Sequence, residues 1–293
     1  MPEGDTVWRT AYRLNQALAG DVLTMADLRW PGLSTLDLRG ATTTEVVARG
    51  KNILHRLGNG VTIHSHLRME GQWRVEATSA VTSRALKNPQ LRAVVGTAAW
   101  TALGLRLGDL HAVATADEDS LVGHLGPDVL GPDWDPAEAV RRLASSPVSI
   151  GAALLDQRNL AGVGTLYAAE TLFLERIGPW TPATELDPAT LQRVVDRAHR
   201  LLDAGRRHAI QSTTGSDRRG ETAYVHGRSG HPCRRCGRPV RVAMIGEPPR
   251  DRTMFYCPGC QGGLAPDDDG RLQRPLGTSA RSGPPKGDAA RRG

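Results

Sequence analysis

Apolar residues recur at Val7, Ala11, Leu14 and Leu18 with the spacing of one helical face, so the chain opens on an amphipathic helix over residues 6–19. Asp5 is the expected N-cap and Gly20 the stop. Between residues 41 and 75 the pattern changes to strands. The runs NILHRL and VTIHSHL flank GNG, which predicts a hairpin turning at Asn59-Gly60. LRAVVGTAAW and the stretch after TALG continue the strand pattern to about residue 115. The first ~125 residues therefore read as a β-sheet domain with a helix at its front.

Beyond GPDVLGPDWDP the pattern is helical. Asp135-Pro136 and Asp187-Pro188 each set an N-cap before a proline at the first helical position. Leu191, Val194, Val195, Ala198, Leu201 and Leu202 then supply an apolar stripe. Earlier, LLDQRNLAGVGTLYAAETLFLERIGP reads as a short helix ending near Gln157, a glycine-bearing double turn at residues 161–164, and a second helix from Thr165. Exposed amides of that turn and helix N-terminus could bind phosphate, although an ordinary helical hairpin fits the same pattern. The tail DDDGRLQRPLGTSARSGPPKGDAARRG has almost no apolar content, which predicts disorder from about residue 264.

With 293 residues and 39% hydrophobic content, the chain has material for about two domains. It has no run of ~18 apolar residues and no signal-peptide pattern, so a soluble, cytoplasmic protein is expected, with no membrane partner. The net charge of +6 is unevenly placed. Residues 218–263 hold nine arginines against Glu221, Glu247 and Asp251, the footprint of a polyanion partner unless it is simply solvated basic surface. Lysine occurs only at 51, 87 and 286, so each lysine stands out as a group that can lose its proton.

Four cysteines stand as Cys233-x2-Cys236 and Cys257-x2-Cys260. Two such knuckles supply a tetrahedral thiolate set for one structural zinc ion. Disulfides are the competing reading, disfavoured in a reducing cytoplasm. With all four positions filled by protein, such an ion would brace a small β-ribbon and catalyse nothing.

Taken in order, PEG at the N-terminus, RGKNIL at 49–54, HLRMEGQW at 66–73, LDQRNLAGVGT and YVHGRSGHPCRRCG with RDRTMFYCPGCQ form a set. Together they resemble the Fpg/Nei family of bifunctional DNA glycosylases over roughly residues 2–262, in its endonuclease VIII branch and actinobacterial forms. The resemblance implies an α+β multidomain fold. A catalytic β-sandwich with flanking helices would span 1–125, a helical domain with a helix-two-turns-helix element 126–222, a zinc ribbon 223–263 and a disordered tail 264–293.

The resemblance also implies an activity: removal of oxidised bases from damaged DNA, followed by strand cleavage through β- and δ-elimination. Pro2, exposed by loss of Met1, would be the nucleophile and Glu3 the adjacent acid/base. Lys51 would contact phosphate and assist catalysis, and Arg252 would grip the phosphates flanking the lesion. Arg68, Met69 and Glu70 would form the loop that fills the void left by a flipped nucleotide, with Met69 as the wedge. Gly164 and Thr165 would meet DNA at the double turn, and the enzyme would act as a monomer on the nucleoid. Phe173 and Phe255 are the only phenylalanines, both outside the N-terminal domain, which favours oxidised pyrimidines.

Three departures from the family pattern stand out, at four positions. Asp5-Thr6 replaces Pro-Glu, removing a second carboxylate unless Asp5 substitutes for it. Thr165 replaces an asparagine, and Glu70 stands where an aromatic wedge is usual. Weaker or altered lesion recognition is therefore expected, and a non-catalytic damage-binding protein on the same fold is the alternative.

Overall fold

Val7, Ala11, Leu14 and Leu18 are all buried on one face of α1 (Gly4–Leu18), as the spacing predicts. The helix starts two residues earlier than an Asp5 cap would place it. Glu3 is the N-cap, its carbonyl accepting from the amides of Thr6 and Val7 at 2.9 and 3.0 Å. Asp5 thus lies inside the first turn with its side chain fully buried. Glycine is needed at the other end, where Gly20 adopts a φ of 86° and donates to the Thr43 carbonyl.

The computed structural model describes residues 2–275. After α1 come β1 (Met25–Leu28), β2 (Thr43–Arg49), β3 (Asn52–Leu57), β4 (Val61–His66), β5 (Gln72–Ala77) and the single turn α2 (Ser83–Leu86). These are followed by β6 (Leu91–Gly96), β7 (Trp100–Leu105), β8 (Asp109–Ala114) and α3 (Asp119–Val122). The strands form two antiparallel sheets in the orders β1-β6-β7-β5 and β2-β3-β4-β8. Leu28, Ala93, Val95 and Ala102 of one sheet share a core with Val46, Ile53, Ile63 and Leu110 of the other, a β-sandwich with α1 packed along it. The β3–β4 hairpin turns where expected, with Gly60 at φ 80°.

The second half contains α4 (Pro136–Ala144), α5 (Ile150–Leu155), α6 (Thr165–Glu175) and α7 (Pro188–Arg206), then β9 (Arg241–Ile245) and β10 (Arg252–Tyr256). Both predicted Asp-Pro starts are real caps: Asp135 accepts from Glu138 N and Asp187 from Thr190 N, each at 2.9 Å. The ribbon of β9 and β10 does not stand alone. Val240, Ile245, Met254 and Phe255 join Leu172, Phe173 and Leu191 in one core. The two halves meet where the outer face of β3 presents Leu54 to Val122, Leu125 and Ala161.

The expectation of disorder from residue 264 is corrected over residues 264–275. Asp268 pairs with the buried Arg241 and accepts from the Tyr256 hydroxyl, while Gln273 exchanges two hydrogen bonds with the Val242 backbone at 2.8 and 2.9 Å. These contacts satisfy polar groups of β9 that a free tail would leave open. The rest of that expectation, residues 276–293, lies outside the described residues. Among the described residues no helix is long and apolar enough to cross a membrane.

Candidate active site at the chain start

Glu3 is 1% exposed, and its carboxylate is aimed at the start of α6. It accepts hydrogen bonds from the amides of Gly164 at 2.7 Å, Leu166 at 2.8 Å and Tyr167 at 3.4 Å. A helix N-terminus presents unpaired donors and the positive end of its dipole, so it suits a carboxylate. One residue on, Gly4 N donates to the Gly162 carbonyl at 2.9 Å. The Pro-Glu-Gly tripeptide is therefore docked, backbone and side chain, on the double turn that precedes α6.

Close approach explains the glycines on both sides. A Cβ at Gly164 would stand 2.5 Å from Cδ of Glu3 and under 3 Å from both its oxygens. Gly162 has a φ of 102°, and Gly4 packs with an added Cβ 3.0 Å from its Cα. Gln157 shapes the same turn, accepting from Gly162 N at 3.0 Å and donating to the Val163 carbonyl at 2.9 Å. Gly164 and Thr165 are buried, and the amides of Gly164, Leu166 and Tyr167 donate to Glu3.

Lys51 follows Gly50 in the turn between β2 and β3. Gly50 has a φ of 59°, and its amide is fixed by the buried carboxylate of Asp128 at 2.7 Å. Burial holds the Lys51 ammonium below the usual lysine range; Glu3 pulls it back up and Arg252 opposes its charge further. Burial likewise raises the Glu3 carboxyl, against the pull of Lys51 and the α6 amides. Lys51 thus stands within electrostatic reach of both Glu3 and Arg252, which come from two other parts of the chain. Pro2, half-buried, is attached directly to Glu3.

The expected void-filling loop lies at the same end of β3 and β4 as Lys51, since Asn52 pairs with His66. Met69 is 67% exposed at its tip. Arg68 holds a φ of 53°, its amide donating to Nδ1 of His66 and its guanidinium reaching Asp109 at 3.4 Å. Glu70 does not present a bare charge, because Arg106 of the β7–β8 loop pairs with it at 3.2 Å. Sequence reasoning missed Arg106, Asp109 and Asp128, each of which acts on a residue distant in sequence, and it missed the role of Gln157, which bonds the neighbouring turn from within the LDQRNLAGVGT motif.

At the open end of the ribbon, where Tyr256 pairs with Arg241, the four cysteine sulfurs all lie within 4.8 Å of one another. The Cys236–Cys257 and Cys233–Cys260 separations are 3.4 and 3.9 Å, far beyond the ~2.05 Å of a disulfide. They match the ~3.8 Å edge of a tetrahedron with ~2.3 Å metal–sulfur bonds. Arg252 stands exposed at the start of β10, its guanidinium hydrogen-bonded to the Arg250 and Asp251 carbonyls at 2.9 Å.

Residues 1–126 match the family described as formamidopyrimidine-DNA glycosylase N-terminal domain, and residues 125–216 match the formamidopyrimidine-DNA glycosylase H2TH domain. The chain is 49% identical to "Probable endonuclease 8 2" of Streptomyces coelicolor, over 92% of this chain and 98% of that one. It is 43% identical to "DNA-(apurinic or apyrimidinic site) lyase Nei2" of Mycolicibacterium smegmatis, over 89% and 99%. The Fpg of Lactococcus lactis, solved noncovalently bound to DNA containing an AP site, superposes with a TM-score of 0.74 at 22% identity, covering 88% of this chain and 99% of that one.

Proposed function

The chain belongs to the Fpg/Nei family of DNA glycosylases, and we propose on that premise that it excises oxidised bases and nicks the resulting abasic site, as an endonuclease VIII-type enzyme of base excision repair. It is a bifunctional DNA glycosylase and AP lyase. The observation that carries this reading to the residues is the buried Glu3 carboxylate, joined to Pro2 and facing Lys51.

With Met1 removed, Pro2 would present a secondary amine at the positive end of α1. An α-amino group near pKa 7.8 is about one-third neutral at pH 7.5, whereas an ordinary lysine is roughly 0.1% neutral. Proline's amine is somewhat more basic, and the helix terminus offsets that. The amine attacks C1′ of the damaged nucleotide, the base departs, and an iminium links Pro2 to the sugar. Glu3, its carboxyl raised by burial, delivers a proton to the deoxyribose ring oxygen as the ring opens. Lys51 and Arg252 hold the flanking phosphates, and β- and δ-elimination then cut the strand.

Damaged DNA is the partner, and the protein works as a monomer on the nucleoid. Met69, flanked by Arg68 and the Arg106-paired Glu70, fills the space of the flipped nucleotide. Absence of phenylalanine from the sandwich favours oxidised pyrimidines. Gly164 and Thr165 serve the reaction by seating Glu3 rather than by touching DNA. The four cysteines fit one structural zinc ion in number, chemistry and spacing. The non-catalytic alternative is not favoured, because with Thr6 and Thr165 in place Glu3 is still seated on the α6 amides within electrostatic reach of Lys51.

Incubation with DNA carrying an abasic site or an oxidised pyrimidine, followed by borohydride, is expected to give a covalent adduct that peptide mapping places on Pro2. The adduct should be lost in Pro2→Gly. Tight abasic-site binding with no adduct would overturn the reading, as would a mass spectrum showing Met1 retained. Arg252→Ala should weaken binding evenly across sequences and lower the salt slope by about one. An unchanged slope would remove Arg252 from the phosphate contacts.

A further inference from the structure

Asp5 is a buried carboxylate for which the mechanism above has no use. It is 0% exposed, and its Oδ1 accepts from Nε2 of Gln211 at 2.8 Å. Its Oδ2 faces the Tyr167 hydroxyl, and neither atom has another hydrogen-bond partner. Both crowd Gly205, where an added Cβ would lie 2.1 Å from the hydroxyl and 3.2 Å from Oδ2. Arg9 approaches at 3.7 Å, a weak ion pair.

Gln211 belongs to the segment that follows α7. Thr213 N donates to the Thr222 carbonyl at 2.8 Å, tying that segment across itself. Glu170, in the middle of α6, then clamps it. Its carboxylate accepts from the amides of Tyr224, Val225 and His226 at 2.8 to 2.9 Å, and from the Thr213 hydroxyl. The amides at the start of α6 hold Glu3. Hydrogen bonds therefore run in a closed ring: Glu3 to α6, α6 through Glu170 to the segment, the segment through Gln211 to Asp5, and Asp5 back along α1 to Glu3.

We propose that Asp5 is a positioning residue, and that its hydrogen bond to Gln211 fixes the first turn of α1, and with it Pro2 and Glu3, against the segment after α7. This rests on the reading of Pro2 as nucleophile. Burial raises the Asp5 carboxyl, so a neutral amide of the same shape is a fair replacement. An asparagine would still accept from Gln211 and could donate to the Tyr167 hydroxyl.

The test is single-turnover borohydride trapping on abasic-site duplex, following both the maximal rate and the half-saturating DNA concentration. Asp5→Ala and Gln211→Ala should each lower the maximal rate about tenfold, the scale of a misplacement of under 1 Å. Half-saturation should not move. The double variant should be no slower than either single one, because both remove the same bond. Asp5→Asn should recover most of the rate. Gln211→Ala is a loop substitution and keeps the test valid if Asp5→Ala folds poorly. Additive losses, an undiminished rate in Gln211→Ala, or an Asp5→Asn as slow as Asp5→Ala would each overturn the coupling while wild-type trapping stays intact. A wild type that forms no adduct would instead overturn the nucleophile reading.

Discussion

Gly164→Ala is expected to lower base excision by about 100-fold or more while leaving the protein folded. The φ of Gly164 is −127°, so alanine can adopt the backbone and no conformational strain arises there. The whole effect is steric and local. The new methyl would occupy space within 2.5 to 2.8 Å of the Glu3 carboxyl atoms, and that carboxylate has no retreat, being held by three amides of the same turn. Glu3 must lift off the helix N-terminus and carry Pro2 with it. Displacements near 1 Å at a reacting centre cost about 10²-fold in rate. Overpacking typically costs about 1–3 kcal/mol of stability, which lowers the melting temperature without abolishing the fold. Single-turnover excision measured beside thermal melting separates the two effects. A folded Gly164→Ala protein with wild-type excision would show that the Glu3 seat is irrelevant to chemistry.

How much of this site was written in the sequence depends on whether a residue's partner was local. Asp135 and Asp187 cap helices one residue ahead of a proline, and the Asn59-Gly60 turn joins strands on either side, so spacing alone located them. Asp5 looked like a third such cap and was not. Glu3 took the N-cap position because its side chain could reach α6, an element that spacing within α1 cannot foresee. Gly162 and Gly164 looked like a phosphate-binding turn for the same reason: the helix N-terminus was correctly placed, but its anion is the protein's own carboxylate. The acidic run at 267–269 read as disorder by composition, whereas Asp268 is the buried partner of Arg241. Motif resemblance reached further than periodicity, because it singled out Pro2, Glu3, Lys51 and Arg252 from separate parts of the chain, and the Lys51 ammonium feels the charge of both Glu3 and Arg252.

Metal removal is expected to cost the protein its grip on DNA without unfolding the sandwich. The first knuckle is closed by Cys233 N to the Arg238 carbonyl at 2.8 Å and Gly237 N to the Cys233 carbonyl at 3.0 Å. The second is closed by the amides of Cys260 and Gln261 on the Cys257 carbonyl, both at 3.0 Å. The thiolate cluster links the two knuckles directly. Structural zinc supplies about 10–16 kcal/mol of apparent folding free energy in isolated zinc-finger peptides. This ribbon also borrows packing from α6 through Met254 and Phe255, and Gln261 is tied to the Ile177 carbonyl at 2.8 Å, so its strands should persist. The two knuckles should not, and Cys257 directly follows β10, the strand that carries Arg252 at its other end. A strong chelator should release about one zinc per chain and expose the amides of the two knuckles, residues 233–238 and 257–260, to hydrogen exchange. It should weaken abasic-site binding at least tenfold, about 1.4 kcal/mol. Amides of β3 and β4, in a separate core, should stay protected. Chelated protein that releases no metal and binds as before would refute a structural ion at the four cysteines.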